Sequence, residues 1–347
     1  MSHPVITIII ATYNSARTLD ACLFSIRNQH YPQKNIEIIL VDGASRDETV
    51  NIGKKYHARI LHQKGTAAEA AKAHGLQEAT GEIIADFGSD NIIPDNKWVQ
   101  RMILPFIQNV NIIASYPLWY TYREQDTIFN RYVSLFGVND PVPFYLGKAD
   151  RQSLLYQGYH LSGDAADRGD YYDVVFSENN LPTVGANGFF IRRRILQKAR
   201  IDPDHYFHID VIHDIVKQGY DRFAVVKTGI IHDTANTLFS LLDKRRRYFR
   251  ELYLEKTGLR RYHIFRLDNW GDLGKLGLFV VYSLTIIQPL WLSIRGFIKK
   301  RDIAWFVHPA FCFLITIIYA ETVSWYVIKK IWFNIKGTKE QTSKRTR

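Results

Sequence analysis

Cysteine is nearly absent: Cys22 and Cys312 are the only two, far apart and in unlike surroundings. That excludes a disulfide framework and a cysteine-built metal site, and it fits a reducing compartment. No glycine-rich phosphate cradle occurs, neither GxxxxGK[ST] nor GxGxxG, so any bound phosphate needs another counter-charge, such as a metal ion. The start, MSHPVITIII, lacks the basic stretch and small-residue cleavage site of a signal peptide, and Val5–Ala11 reads as a buried strand. Internal repeats and low-complexity segments are missing as well. Acid is scarce at one end only. From Lys244 onward 21 Lys/Arg face 7 Asp/Glu, a net of +14 against +11 for the whole chain, which leaves about −3 for the first 243 residues.

What is present is a large apolar content. Of 347 residues, 46% are hydrophobic and 14% aromatic, enough for a sizeable core and for two or three structural units. The C-terminal basic residues flank two apolar segments, Leu276–Ile294 and Ile303–Ile328, each near the ~20 residues that cross a bilayer. Trp270, Trp291, Trp305, Trp325 and Trp332 lie at or near their ends, as interfacial anchors do. This arrangement points to membrane lipids as partners and away from nucleic acid. Two membrane helices over 276–328 with both ends in the cytoplasm are expected. Arg295, Lys299, Lys300 and Arg301 between them favour the alternative, a re-entrant or in-plane hairpin. The run LLDKRRRYFRELYLEKTGLRRY, within 238–275, is expected as a basic amphipathic helix on the membrane surface, and 329–347 as a basic tail.

Residues 1–115 alternate strand and helix signals. VITIIIAT, IEIILVDG, ARILHQ and GEIIADFGSD read as strands; the segments between them carry helical spacing, as in Leu19, Leu23 and Ile26. Ser45 and Glu48 have capping-box spacing. Such alternation predicts an α/β fold with a mostly parallel sheet and helices on both faces. Residues 116–180 are rich in Tyr, Asp and Gly and read as an irregular insertion within a 1–237 domain. LPTVGANGFFIRR, HYFHIDVIHDIVKQGY and RFAVVKTGIIH then read as strand, helix and strand. In such sheets ligands bind beyond the carboxyl ends of the strands. Thr12, Tyr13, Asp42, Lys64 and Asp90 fall there. Acids accept from base or ribose donors, a ring such as Tyr13 stacks on a base, and Asp90 suits a hard divalent cation.

The stretches VITIIIATYNSARTLDACLFSIRNQHYP…IEIILVDGASRDETV and EATGEIIADFGSDNIIPDNKWV resemble the family-two glycosyltransferases, inverting enzymes of the nucleotide-sugar GT-A fold. The resemblance runs from about Val5 to His232. It implies a nucleoside-diphosphate sugar held by Ala11, Thr12, Tyr13, Asp42, Lys64, Ser89 and Asp90. It implies Mg²⁺ or Mn²⁺ at Asp90 and His232. Gly185, Ala186, Asn187 and Gly188 would lie at the sugar and acceptor side, and Asp210 would be the catalytic base, with His213 and Asp214 as alternatives. A glycan or polyprenyl-linked acceptor and a cytoplasm-facing domain on the cytoplasmic membrane follow from the same reading. Two positions depart from the family pattern. Gly88 stands where the first acid of Asp-x-Asp belongs, and Lys72-Ala73 replaces an Arg-Asn pair. A catalytically impaired nucleotide-sugar-binding membrane protein is therefore the alternative. A processive polysaccharide synthase ranks below it, since no Gln-x-x-Arg-Trp motif occurs.

Overall fold

The computed structural model describes residues 3–345 apart from 66, 203, 204, 235 and 236, with side chains described to residue 331. The first part alternates as its pattern predicts: β1 (Ile6–Thr12), α1 (Ala16–Arg27), β2 (Ile36–Asp42), α2 (Thr49–Lys55), β3 (Arg59–His62), α3 (Ala68–Glu78) and β4 (Ile83–Gly88). A short β5 (Asn91–Ile92), α4 (Trp98–Gln108) and β6 (Ala114–Tyr120) follow. Next come α5 (Ile128–Phe136), α6 (Pro141–Leu146), β7 (Asp164–Asp167) and β8 (Tyr171–Val175). The body continues with β9 (Phe189–Arg192), α7 (Arg193–Leu196), α8 (His208–Lys217) and β10 (Arg222–His232). The C-terminal part holds α9 (Leu238–Tyr248), α10 (Trp270–Thr285), α11 (Ile287–Lys299) and α12 (Val307–Arg345).

The strand order is β3-β2-β1-β4-β9-β6-β10-β8-β7, with β5 paired to β10. β1 to β4 form a parallel block, but β9 runs antiparallel to both β4 and β6, and β8 antiparallel to β10. The sheet is mixed rather than mostly parallel, because an apolar run fixes a strand without fixing its direction. Successive side chains of β1 go to opposite faces. Ile8 and Ile10 join one core layer with Leu19, Trp98 and Met102, while Ile9 joins the other with Ala71, Ile209 and Ile212. Ser45 does not begin α2: its hydroxyl donates to Asp42, and Glu48 precedes the helix without a side-chain cap.

Of the two expected membrane helices, one is a candidate span and the other is a bent pair. Leu276–Ile294 is divided between α10 and α11, which meet at a 78° bend. Ile286 sits between them at φ 63°. Pro289 is the third residue of α11, where its missing N–H is one the helix start leaves unpaired anyway, so the chain restarts there instead of continuing α10. At 1.5 Å per residue, α10 with 16 residues and α11 with 13 reach about 24 and 20 Å, short of the ~30 Å hydrocarbon core. Among the described residues one straight helical stretch, Ile303–Ile331, is long and apolar enough to cross a membrane, and 44% of its most apolar part is buried inside the molecule. Its start belongs to the body. His308 stacks on Phe136 at 3.9 Å and bonds the hydroxyls of Tyr132 and Tyr145, each at 3.0 Å. Asp302 accepts from Arg131 and Tyr122, and buried Trp305 packs on Phe136.

Candidate active site

The parallel block puts the ends of β1 and β4 side by side, with Ala11 paired to Gly88. The chain therefore opens a crevice between Thr12–Tyr13 and Ser89–Asp90. Tyr13 is 48% exposed there. Ser89 donates to Ser15 at 3.1 Å. Asp42 is 1% exposed and is engaged with its own turn: it accepts from the Ser45 N–H at 2.9 Å, the Ser45 hydroxyl and the Thr12 hydroxyl at 3.2 Å. Lys64 is exposed beyond β3.

Asp90 is the centre of one charged corner. Its Oδ2 lies 3.4 Å from His232 Nε2 and 3.7 Å from Lys244 Nζ. Burial alone would raise the Asp90 carboxyl, but His232 and Lys244 outweigh it and hold the group below the usual carboxylate range. Burial draws the Lys244 ammonium below its ordinary value, against the pull of Asp90. A Cβ at Gly88 would meet Asp90 Oδ1, the tip of a side chain, at 2.4 Å. The single acid is folded into the space that a side chain at 88 would take. The Gly88 N–H is held by Asn91 Oδ1 at 2.7 Å.

One orphaned atom, Asn139 Oδ1, bears on whether these residues suit a divalent cation. Asn139 Nδ2 lies 3.2 Å from the Tyr120 hydroxyl and 3.3 Å from His232 Nδ1, while its buried Oδ1 has no partner. The two ends of an amide are exchanged by a half-turn. Turned, Asn139 accepts from Tyr120 and from His232 Nδ1–H, and the His232 Nε2 lone pair faces Asp90, the arrangement of a metal-ligating histidine with its carbonyl partner. Asp90 and His232 thus fit two positions of a cation. Among the described residues no third His, Cys, Asp or Glu joins them. The remaining positions fall to ligand oxygens and water, as magnesium-type sites allow.

Lys244 comes from α9, where the basic-helix signal pointed to the membrane. The structure turns that helix inward. Leu241, Lys244 and Tyr248, three and four residues apart, share one face. Leu241 is fully buried, Lys244 reaches Asp90, and Tyr248 lies within the field of Glu69, Lys72 and Asp90. The helix N-terminus is fixed by a capping box between Thr237 and Ser240. At least one face of this helix therefore covers the crevice.

A second charged corner lies beneath α3 and α8. Lys72 Nζ sits 3.1 Å from Asp86 and 3.4 Å from Glu69, and Glu69 receives His208. Burial would lower the Lys72 ammonium, but Asp86 and Glu69 outweigh it and raise it. Burial raises the Asp86 carboxyl against the pull of Lys72. Asp86 Oδ1 is buried without a partner and adjoins a cavity of about 20 Å³ lined also by Lys72, Gly185, Tyr206 and His208.

Gly185–Gly188 joins the corners. Gly185, Asn187 and Gly188 all have positive φ (120°, 55° and 80°). A Cβ on Gly188 would meet Ile230 at 2.7 Å, and one on Gly185 would meet His208 at 2.9 Å, so both glycines are required by space as well as by φ. Arg151, 1% exposed, donates to the carbonyls of Ala186 and Asn187 at 3.3 and 2.8 Å. Asn91 donates to Asn187 Oδ1 at 3.3 Å, tying this loop to the residue after Asp90.

Asp210 is not in this group. It is 1% exposed, and its carboxylate accepts both Arg260 Nε at 2.9 Å and Nη2 at 3.1 Å, with Tyr262 N–H as a third donor at 2.9 Å. In this structure Asp210 is ion-paired rather than free, and it ties the segment after α9 to α8. Asp214 is likewise paired with Arg261 at 2.8 Å, and His213 lies beside Glu178. Lys244, Asp150, Arg151, Glu69 and His208 were not singled out from sequence. His208 stood two residues from Asp210 in the same helix, and its period-based signal was the apolar face, not the polar one.

Residues 7–166 match the profile of glycosyl transferase family 2. Cholesterol galactosyltransferase of Borreliella burgdorferi is 36% identical over 215 residues, 60% of this chain and 53% of that protein. Glycosyltransferase GlyG of Streptococcus pneumoniae is 36% identical over 143 residues, 38% of this chain and 44% of that protein. The chain spans about half or less of the length of these curated relatives. Among solved structures, mannosyltransferase PcManGT from Pyrobaculum calidifontis, in complex with GDP-Man and Mn²⁺, is 14% identical, covers 92% of this chain and 88% of that one, and superposes with a TM-score of 0.49. The donor-side strand ends, the second strand and the Asp90 strand all lie inside the matched residues, so it is this N-terminal part of the chain that is similar to glycosyl transferase family 2.

Proposed function

We propose that the chain transfers a sugar from a nucleoside-diphosphate sugar to an acceptor hydroxyl, with inversion at the anomeric carbon. The Asp90 corner carries this reading: an ionised acid, an imidazole and an ammonium converge beside the strand ends where a diphosphate would lie. Mg²⁺ or Mn²⁺ held by Asp90 and His232 would supply charge neutralisation of the leaving diphosphate. Lys244 adds a fixed positive charge on the same side. Tyr13 offers a stacking face for the base, Ala11, Thr12, Asp42 and Lys64 form the nucleoside side, and Ser89 borders the phosphates. Gly185, Ala186, Asn187 and Gly188 form the floor under the sugar. The GT-A arrangement, with donor at the strand ends and acceptor from the opposite side, is part of the same reading.

The acceptor is proposed to be presented at the cytoplasmic face of a membrane, as a glycan or polyprenyl-linked hydroxyl. Exposed Leu278, Val281, Ile287, Trp291, Ile294 and Ile298 form an apolar surface on α10 and α11, with Arg295 and Arg301 beside it. A relative named for transfer to cholesterol supports a lipid-borne hydroxyl. The test is radiolabelled transfer by the purified chain from UDP-glucose, UDP-galactose and GDP-mannose to membrane lipid extract, with the anomeric configuration of the product read by NMR. Transfer lost in Asp90→Ala and in EDTA is expected. UDP or GDP binding without any turnover would overturn it and leave a nucleotide-sugar-binding protein.

A further inference from the structure

With Asp210 locked under Arg260, the proton acceptor of the transfer step has to come from elsewhere, and α8 offers one at its first residue. His208 is side-chain exposed to 15%. Its Nδ1 lies 3.1 and 3.2 Å from the two oxygens of Glu69, and its backbone N–H donates to the same carboxylate at 3.1 Å. Two contacts to one acid fix both the ring and its tautomer: Nδ1 carries the proton and Nε2 the lone pair. No described residue pairs with Nε2. The ring carbon next to Nε2 is the atom that a Cβ on Gly185 would strike at 2.9 Å, so this edge of the imidazole faces the Gly185–Gly188 loop. That loop is tied through Asn187 and Asn91 to the Asp90 corner.

We infer that His208, oriented by Glu69, is the general base that takes the acceptor's hydroxyl proton, an inference that rests on the transfer reading above. The oxygen–proton bond breaks toward Nε2 while the acceptor oxygen forms a bond to the anomeric carbon. The bond from that carbon to the phosphate oxygen breaks, and the nucleoside diphosphate leaves with the electron pair. The imidazolium so formed is stabilised by Glu69, as a carboxylate stabilises the histidine of a triad. Glu69 suits this task. Burial alone would raise its carboxyl, but Lys72 and His208 outweigh burial and keep it ionised. The charged groups facing His208 are Glu69 and Lys72 of α3, Asp86 of β4 and Asp150 of the loop after α6.

The experiment uses the full chain and the three sugar nucleotides named above, with UDP and GDP binding by calorimetry as the check on folding. His208→Gln is expected to lower kcat by about 100-fold or more with donor KM within about threefold, and to remove the acid limb of the kcat–pH profile. His208→Ala is expected to recover part of its activity in added imidazole, which a merely structural role would not allow. Asp210→Asn is expected to retain kcat within a few-fold per folded molecule. Turnover of His208→Gln within about fivefold of the natural chain would overturn the inference. So would a loss that imidazole does not restore and that leaves the acid limb in place. No transfer by the natural chain from any of the three donors would overturn the proposed function itself, and this inference with it.

Discussion

The two charged corners of the crevice are built on opposite plans. At Asp90 one acid faces two nitrogen groups, His232 and Lys244, and no second acid joins it among the described residues. Beneath α3 and α8, Glu69 and Asp86 share one Lys72, and the His208 ring rests on Glu69. The first plan suits a site that attracts phosphate. The second suits one that receives a proton. Neither resembles the Asp210–Arg260 pair, where every lone pair in reach is used and both side chains are buried. Position relative to the Gly185–Gly188 loop, not residue type, separates the carboxylates of the two corners from the Asp210 pair.

Breaking the structural pair gives the largest effect. Arg260→Met leaves Asp210 buried with one donor, and a loss of about 3–5 kcal/mol is expected in denaturant unfolding. Activity per folded molecule should stay near that of the natural chain, which activity normalised to the folded fraction will read. Asp90→Ala reverses this pattern: turnover is expected to fall about 100-fold or more with little change in unfolding midpoint, because the acid serves the ligand rather than the fold.

Gly88→Asp comes next. Read from sequence, a second acid would restore the family's Asp-x-Asp pair. In the structure the new Cβ meets Asp90 Oδ1 at 2.4 Å. A fall of about tenfold in kcat is expected, since small displacements of catalytic groups are costly; a gain in steady-state rate would show that Asp90 can move without loss.

The smallest effect is a pH dependence. Glu69 is held below its ordinary value in the folded state. Its stabilisation is therefore complete above the unfolded value of about 4.3 and fades as pH falls below it. Glu69→Gln should flatten the melting temperature between about pH 5 and 3, on the order of 1 kcal/mol in stability. An unchanged acid slope in a thermal melt series would place the titrating group elsewhere.

Much of the donor half was legible. The runs ITIIIAT and IEIILVD are strands because β-branched, fully apolar segments fit a sheet covered on both faces, and β1 and β2 fall where those runs lie. Asp90 was legible because a turn after such a strand puts its side chain at the crevice. The antiparallel entry of β9 was not legible, since pairing direction depends on the path of the intervening chain. The break at Ile286 was half legible: Pro289 marked an interruption, but a 78° bend depends on α10 and α11 both packing on the body. The pairing of Asp210 was hidden for a related reason. A helix-start acid looks available until Arg260, 50 residues later, arrives on it.

By itself the sequence determined the alternating strands and helices, the polar strand ends, the family pattern with its missing acid at Gly88, and the basic, apolar C-terminal part. Those are local properties, set by side-chain period, turn chemistry and composition. Only the tertiary structure decided which charges meet. Lys244 lies 154 residues beyond Asp90 and Glu69 lies 139 residues before His208, yet each pair shares one corner. Such contacts arise because burial forces every charged group to find a counter-charge wherever the fold brings one, and no local pattern encodes that distance.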